Sequence, residues 1–210
     1  MPAPSRFWDR HAEGYAKRPV ADEAAYQKKL QVTRDYLRPE MEVLEFGCGT
    51  GSTALVHAPR VAHIRAIDIS AKMLEIARRK AADAGIGNVT FEQAAIDDFE
   101  APAESFHAVL GLSILHLLAD RDAAIAKVHR LLKPGGLFVT STACIADMKP
   151  LYRLFMLVVP LGRVFGLLPL VRAFSAQDLR ASLTAAGFSI EHDWRPGEDK
   201  AVFIVARKAG

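Results

Sequence analysis

Along the chain, short continuous apolar runs alternate with longer stretches whose apolar residues recur at helical spacing, the pattern of strands interleaved with helices. Two helices are predicted first, over 5–17 and 21–37, and Pro39 marks the end of the second. The run Glu42-Val43-Leu44-Glu45-Phe46 then predicts a strand that feeds a glycine-rich loop, with a helix starting near Ser52. A second run, 61–69, ends in Ala66-Ile67-Asp68-Ile69. Ser70 is the expected cap of a helix over 71–84, with Met73, Leu74, Ala77 and Ala81 as its inner stripe. Gly85 and Gly87 stop that helix, Val89 to Gln93 reads as a third strand, and Phe106 to Leu112 as a fourth. Asp120 or Asp122 caps the next helix, whose Ile125, Val128, Leu131 and Leu132 share a face. Lys133-Pro134-Gly135-Gly136 breaks it before a fifth strand, 137–142.

Connections of this length join parallel neighbours, so the expectation is an α/β fold: a doubly wound, mostly parallel sheet with helices on both faces. The tail departs from that pattern. Ser175 and Asp178 form a capping-box-like start to a helix that Gly187 closes. Phe188 to Trp194 and Ala201 to Arg207 follow, separated by six polar turn residues, and two strands that close together must form an antiparallel hairpin. The expected sheet therefore has seven strands.

At 210 residues, half of them hydrophobic and 24% charged, the chain has the size and apolar content of a single globular domain. The balance of 27 Lys and Arg against 24 Asp and Glu leaves +3, too small and dispersed to imply a nucleic-acid-binding face. Arg6, Asp9, Arg10 and Glu13 interrupt the first residues, which therefore lack the apolar core of a secretory signal. The two cysteines, Cys48 and Cys144, are not at metal-ligand spacing. These features place the protein in the cytoplasm, with one disulfide as the less favoured alternative and no metal site.

The chemistry concentrates where the first strand ends. Glu45-Phe46-Gly47-Cys48-Gly49-Thr50-Gly51 puts three alternate glycines at the carboxyl edge of the sheet, where a ligand approaches the backbone closely. Asp68 ends the neighbouring strand, where a carboxylate accepts the hydroxyls of a ribose. A dinucleotide fingerprint would carry its third small residue at position 52. Here the third glycine comes one place early, at Gly51, and Ser52 occupies that position.

These residues resemble the first motif of class I S-adenosylmethionine-dependent methyltransferases, and Leu131-Leu132-Lys133-Pro134-Gly135-Gly136 resembles the signature this family carries before its fifth strand. The resemblance covers 41–146 and 175–210 and implies the Rossmann-like methyltransferase fold with S-adenosyl-L-methionine as cofactor. It assigns Gly47, Cys48, Gly49 and Gly51 to the loop around the methionine and ribose, and Glu45 to the support of that loop and the aminoacyl ammonium. Asp68 would hold the ribose and Ile69 would flank the adenine. Met73 belongs either to the same apolar wall or simply to the core. Tyr15 matches an aromatic that similar enzymes keep over the cofactor, within an N-terminal helical cap over 1–38 that also offers Phe7, Trp8 and His11. After the third strand relatives carry a Gly-Asp-Ala-like triplet, and Ala94-Ala95-Ile96 departs from it. The Ile96 amide remains for the adenine ring, and Asp97 is either the replacement carboxylate or a solvated turn residue.

Methyl transfer from a sulfonium needs mainly in-line alignment, which supplies roughly 7–11 kcal/mol of the barrier. A base is optional. The stretch Leu112-Ser113-Ile114-Leu115-His116-Leu117-Leu118 falls where the family keeps groups nearest the methyl, with Leu112 against the cofactor and His116 either orienting or deprotonating an acceptor, or serving structure alone. The stretch contains neither an Asn-Pro-Pro-Tyr-like sequence nor a Pro-Cys nucleophile, which disfavours base methylation. The apolar segment 148–174, broken by Pro160, Arg163 and Pro169, is too short to span a bilayer. It reads as a lid over an apolar small-molecule acceptor, a surface for lipid or a second subunit, or an inert insertion. Two rivals stay open: a nicotinamide-dependent oxidoreductase, and a non-catalytic module that binds the cofactor or a lipid.

Overall fold

The computed structural model describes residues 4–148 and 168–210. Its described elements are α1 (Pro4–Ala16), α2 (Glu23–Tyr36), β1 (Glu42–Phe46), α3 (Ser52–His57), β2 (His63–Asp68), α4 (Ala71–Asp83), β3 (Val89–Gln93) and β4 (Phe106–Leu112). They continue with α5 (Arg121–Leu131), β5 (Leu132–Thr142), α6 (Ala176–Ala185), β6 (Phe188–Trp194) and β7 (Val202–Lys208). The seven strands form one sheet in the order β3-β2-β1-β4-β5-β7-β6. β1 to β5 are parallel, while β7 lies antiparallel between β5 and β6. This is the Rossmann-like methyltransferase arrangement expected from the sequence.

Side chains alternate across the sheet and divide the core into two layers. Leu44, Val109, Phe138 and Ile204 face α5 and α6, and pack with Ile125, Val128, Leu179 and Leu183. Their neighbours Val43, Leu110, Val139 and Val205 turn the other way, into a layer with Ala54, Leu74 and Ala77 of α3 and α4. Strands covered on both faces are rich in apolar residues: β7 opens with the run Val202 to Ala206, while β1 keeps Val43, Leu44 and Phe46 beside the buried Glu45. The edge strands β3 and β6 alternate instead, because less covers them.

The helix caps agree with the sequence. Ser70 Oγ accepts the Met73 N–H at 3.1 Å, and Ser175 and Asp178 form a reciprocal capping box before α6. One boundary differs: the fifth strand begins at Leu132 rather than 137. Leu132 pairs with Phe106 and Leu137 with Ala108, so Lys133 to Gly136 bulge opposite the single residue His107. Gly135 reaches φ 72° there, which turns a sequence that reads as a helix breaker into a bulge inside a ladder. Both cysteines are free, buried thiols. Of the apolar segment 148–174, residues 149–167 lie outside the described residues. Among the described residues no helix is long and apolar enough to cross a membrane.

Candidate functional site

The chain leaves β1 in one direction to build β2 and β3, then returns to place β4 on the other side of β1. That reversal opens a crevice at the carboxyl ends of the strands. A cavity of about 750 Å³ occupies it, lined by the residues that follow four strands: Gly47 and Gly49 after β1, Asp68 and Ile69 after β2, Ala94 to Asp97 after β3, and Leu112 to Ile114 with His116 to Ala119 at the end of β4. Residues of α1 and Leu168 to Leu170 complete the wall.

The three loop glycines all adopt left-handed φ, at 64°, 54° and 73° for Gly47, Gly49 and Gly51, yet they do different work. A Cβ on Gly47 would sit 2.7 Å from the Ile114 side chain, so this glycine lets the β4 end pack down onto the loop. A Cβ on Gly51 would meet Ala77 at 2.8 Å and Phe91 at 3.0 Å; Gly51 therefore faces α4 and β3 and does not line the cavity. Gly49 alone faces open space, with Tyr15 Cε1 3.9 Å from its Cβ position. Cys48 is buried in the core layer under the loop, and its N–H donates to Ile67 O at 3.0 Å.

Asp68 holds the loop to β2. Its Oδ2 accepts the Gly49 N–H at 2.8 Å and its Oδ1 accepts the Ser70 N–H at 2.9 Å. Burial pushes its pKa up, and these two bonds pull against that shift. Each oxygen keeps a second lone pair, so the carboxylate can still accept hydroxyls from the cavity side. Glu45 sits deeper. It is 3% exposed, its Oε2 has no hydrogen-bond partner, and burial with the nearby Asp68 charge raises its pKa to about 8.

Helix α1 closes one side. Asp9 Oδ1 accepts from Ser70 Oγ at 2.7 Å and from the Lys72 N–H at 3.2 Å, a second acceptor at the amino end of α4. Trp8, Ala12 and Ala16 pack with Met73 and Ile76. This docking brings Phe7, Trp8 and Tyr15 to the cavity, while His11 stacks on Phe7 at 4.3 Å and faces solvent. Met73 is both core and wall, being 2% exposed and still part of the lining. Ile96 is buried and Asp97 exposed at the β3 end, where Lys127 Nζ donates to the Asp97 carbonyl at 2.7 Å. His116 also lines the cavity. Its Nδ1 is buried without a partner, and desolvation lowers its pKa to about 4.

A family profile described as methyltransferase domain matches residues 43–136. The uncharacterized methyltransferase YcgJ of Bacillus subtilis (strain 168) is 32% identical over 110 residues, covering 52% of this chain and 44% of YcgJ. The demethylmenaquinone methyltransferase of Symbiobacterium thermophilum is 29% identical over 154 residues, covering 70% of this chain and 60% of that protein. The crystal structure of the Bacillus subtilis YcgJ protein superposes with a TM-score of 0.72 at 22% identity, over 88% of this chain and 99% of that one.

The chain matches the methyltransferase domain over residues 43–136 and has the fold of solved S-adenosylmethionine-dependent methyltransferases. It spans about half the length of the curated relatives it matches. The family implies use of S-adenosylmethionine, and the residues present fit that molecule. A buried acceptor, Glu45 Oε2, is left over at the base of the loop, Gly49 offers a backbone that a ligand can approach, and Asp68 retains lone pairs for a ribose diol. Relative to the expected set, Glu45, Cys48 and Gly51 stand behind the wall, while Tyr15, Gly47, Gly49, Asp68, Ile69, Met73, Ala95, Ile96, Asp97, Leu112 and His116 are on it.

The sequence pattern did not single out Arg6 or Arg10 as wall residues, whereas Ser113 and Leu168 to Leu170 fall within the 112–118 stretch and the 148–174 segment that it set near the acceptor. Ser113 adopts φ 58°, rare for a residue with a side chain, and donates its N–H to Ser141 O at 2.7 Å. No residue type signals that conformation in advance. Arg6 and Arg10 carry a readable signal, since they fall one turn apart among the aromatics of the first helix.

Proposed function

We propose that this protein transfers a methyl group from S-adenosyl-L-methionine to a small, apolar acceptor bound in the same cavity. One observation carries the reading: a buried, unpartnered carboxylate oxygen and a ribose-competent Asp68 lie at the glycine-loop end of a cavity that continues into an apolar wall. The name of the demethylmenaquinone methyltransferase among the relatives supports an apolar acceptor. Two free, buried thiols support the cytoplasmic placing.

S-adenosylmethionine supplies a methyl group that its sulfonium already activates. The chain's work is then to bind, orient and dry the reactants. Glu45 offers its oxygen to the aminoacyl ammonium, Asp68 accepts the ribose hydroxyls, and Ile69, Met73 and Ile96 give the adenine an apolar slot with Asp97 at its rim. Tyr15 covers the loop beside Gly49. A histidine with a pKa of about 4 is neutral at pH 7 and holds a proton poorly, so His116 acts as a hydrogen-bond acceptor that orients an acceptor hydroxyl rather than as a strong base.

Calorimetric titration with S-adenosylhomocysteine is expected to show saturable binding, and no heat at millimolar ligand overturns the proposal. Methyl-labelled S-adenosylmethionine incubated with protein and a lipid extract of cells then separates an enzyme, which moves label into the extract, from a module that only binds.

A further inference from the structure

The cavity is electrically lopsided. Its acids gather at the strand ends, with Asp68 and Asp97 on the wall and Glu45 behind the loop. On α1 the sign reverses, because Arg6 and Arg10 both line the cavity one helical turn apart, flanking Phe7. Both are exposed, and neither has a carboxylate partner or a hydrogen bond among the described residues, so their guanidinium groups are free to meet a ligand. Like charges at this spacing repel, and Asp9 and Glu13, each three residues further on, offset only part of that on the helix. An anion held between the two guanidinium groups would relieve that repulsion and use their planar donors. The same cavity is walled by Leu117, Leu118, Leu168 and Leu170, which offer an anion nothing but suit an apolar body.

We propose that Arg6 and Arg10 grip an acidic group on the acceptor, which makes the substrate class an apolar molecule bearing a carboxylate or phosphate. The assignment rests on the methyl-transfer reading of the cavity. It gives the two ends opposite tasks: acids meet the cationic, hydroxyl-rich cofactor, and guanidinium groups meet the acceptor's charge. The charged group anchors the acceptor at α1 while its apolar part extends along the leucine wall toward His116.

The test uses the full chain with decanoate, decyl phosphate and 1-decanol as monomeric probes, titrated with and without saturating S-adenosylhomocysteine. At least one of the two acids is expected to bind about tenfold tighter than the alcohol, and the pair of acids tells carboxylate from phosphate. Arg6→Ser/Arg10→Ser should erase that advantage and leave S-adenosylhomocysteine affinity and the unfolding temperature unchanged. Equal binding of acid and alcohol overturns the proposal. So does a loss of S-adenosylhomocysteine binding in the double variant, which would assign the arginines to the cofactor's own carboxylate. Binding to phosphatidylglycerol vesicles without binding of monomeric acids also overturns it, in favour of a membrane surface. If the wild type fails to bind S-adenosylhomocysteine, the methyl-transfer reading falls, and the probe titrations without it still decide the arginine assignment.

Discussion

Gly47, Gly49, Asp68 and Ala94 to Asp97 hang from the ends of three adjacent strands, whereas Arg6, Trp8 and Leu168 to Leu170 reach the same cavity from a helix and a connecting segment far apart in sequence. The first set inherits the rigidity of a sheet buried on both faces. The second depends on a handful of local contacts, chiefly Asp9 at the start of α4 and Trp8 and Ala12 beside Met73. The contrast sets a sheet-anchored end, which the proposed function gives to the cofactor, against a more adaptable end, which it gives to the acceptor. Changes on α1 alter what the second end admits without touching the ladder that shapes the first.

The largest expected effect tests the sheet-anchored end. Gly51→Val adds atoms where a Cβ alone would be 2.8 Å from Ala77, at φ 73°, and should cost about 4 kcal/mol in urea denaturation through overpacking and backbone strain. Gly49→Ala, which meets only open space, should cost about 1 kcal/mol of backbone strain and abolish S-adenosylhomocysteine binding. Equal destabilisation by the two would erase the distinction between a packed glycine and a cavity glycine.

His57, on α3 just behind the loop, is fully buried with both ring nitrogens unpartnered, and burial with the nearby Arg34 charge lowers its pKa to about 4. The unfolded chain takes up this proton first, so stability is present above pH about 6.5 and is lost as pH falls toward 4, by about 3 kcal/mol. Denaturation curves of His57→Leu should lose this part of the acid sensitivity; His116, with its pKa also lowered to about 4, carries a similar share, and its substitution should in addition weaken acceptor binding.

Glu45 titrates in the opposite sense. Its folded pKa of about 8 lies above the usual carboxylate range, so its contribution is most favourable at low pH and is lost as pH rises through 8. Glu45→Gln should therefore stabilise the protein at pH 8 by about 2 kcal/mol, the ionisation cost less the burial of an unpaired amide. It should also weaken S-adenosylhomocysteine binding, which calorimetry measures. Stability gained together with binding lost would mark Glu45 as a functional carboxylate, and unchanged binding would move it out of the site.

The smallest effect probes the helix-anchored end. Asp9→Ala removes two hydrogen bonds at the α4 terminus and should cost about 1 kcal/mol. Hydrogen exchange should quicken in α1 and stay unchanged in β1 and β4. Uniform loosening of the sheet would break the comparison between the two ends.

Most of the sheet was legible because strands covered on both faces are rich in apolar residues, which is why β4 and the apolar residues of β1 and β2 stand out despite the polar ones among them. The caps were legible too, since Ser70 and Ser175 act within their own turn. The start of β5 was not. Whether Leu132 joins a ladder depends on Phe106 of another strand, and Lys133 to Gly136 read locally as a breaker. Within the site, spacing made the three loop glycines look alike, and only Ile114, Ala77 and Phe91 arriving from elsewhere gave each its separate task. Met73 could not be assigned to core or wall because it belongs to both.

The sequence alone determined the alternation of strands and helices, the left-handed turns after β1 and the carboxylate ending β2, because periodicity, backbone freedom and capping act over a few residues. Tertiary structure decided which glycine faces the cavity, that Glu45 keeps an unpaired oxygen, and that two arginines of the first helix share a chamber with the strand ends. Those facts depend on groups brought together from distant parts of the chain, and burial and electrostatics are set by such neighbours.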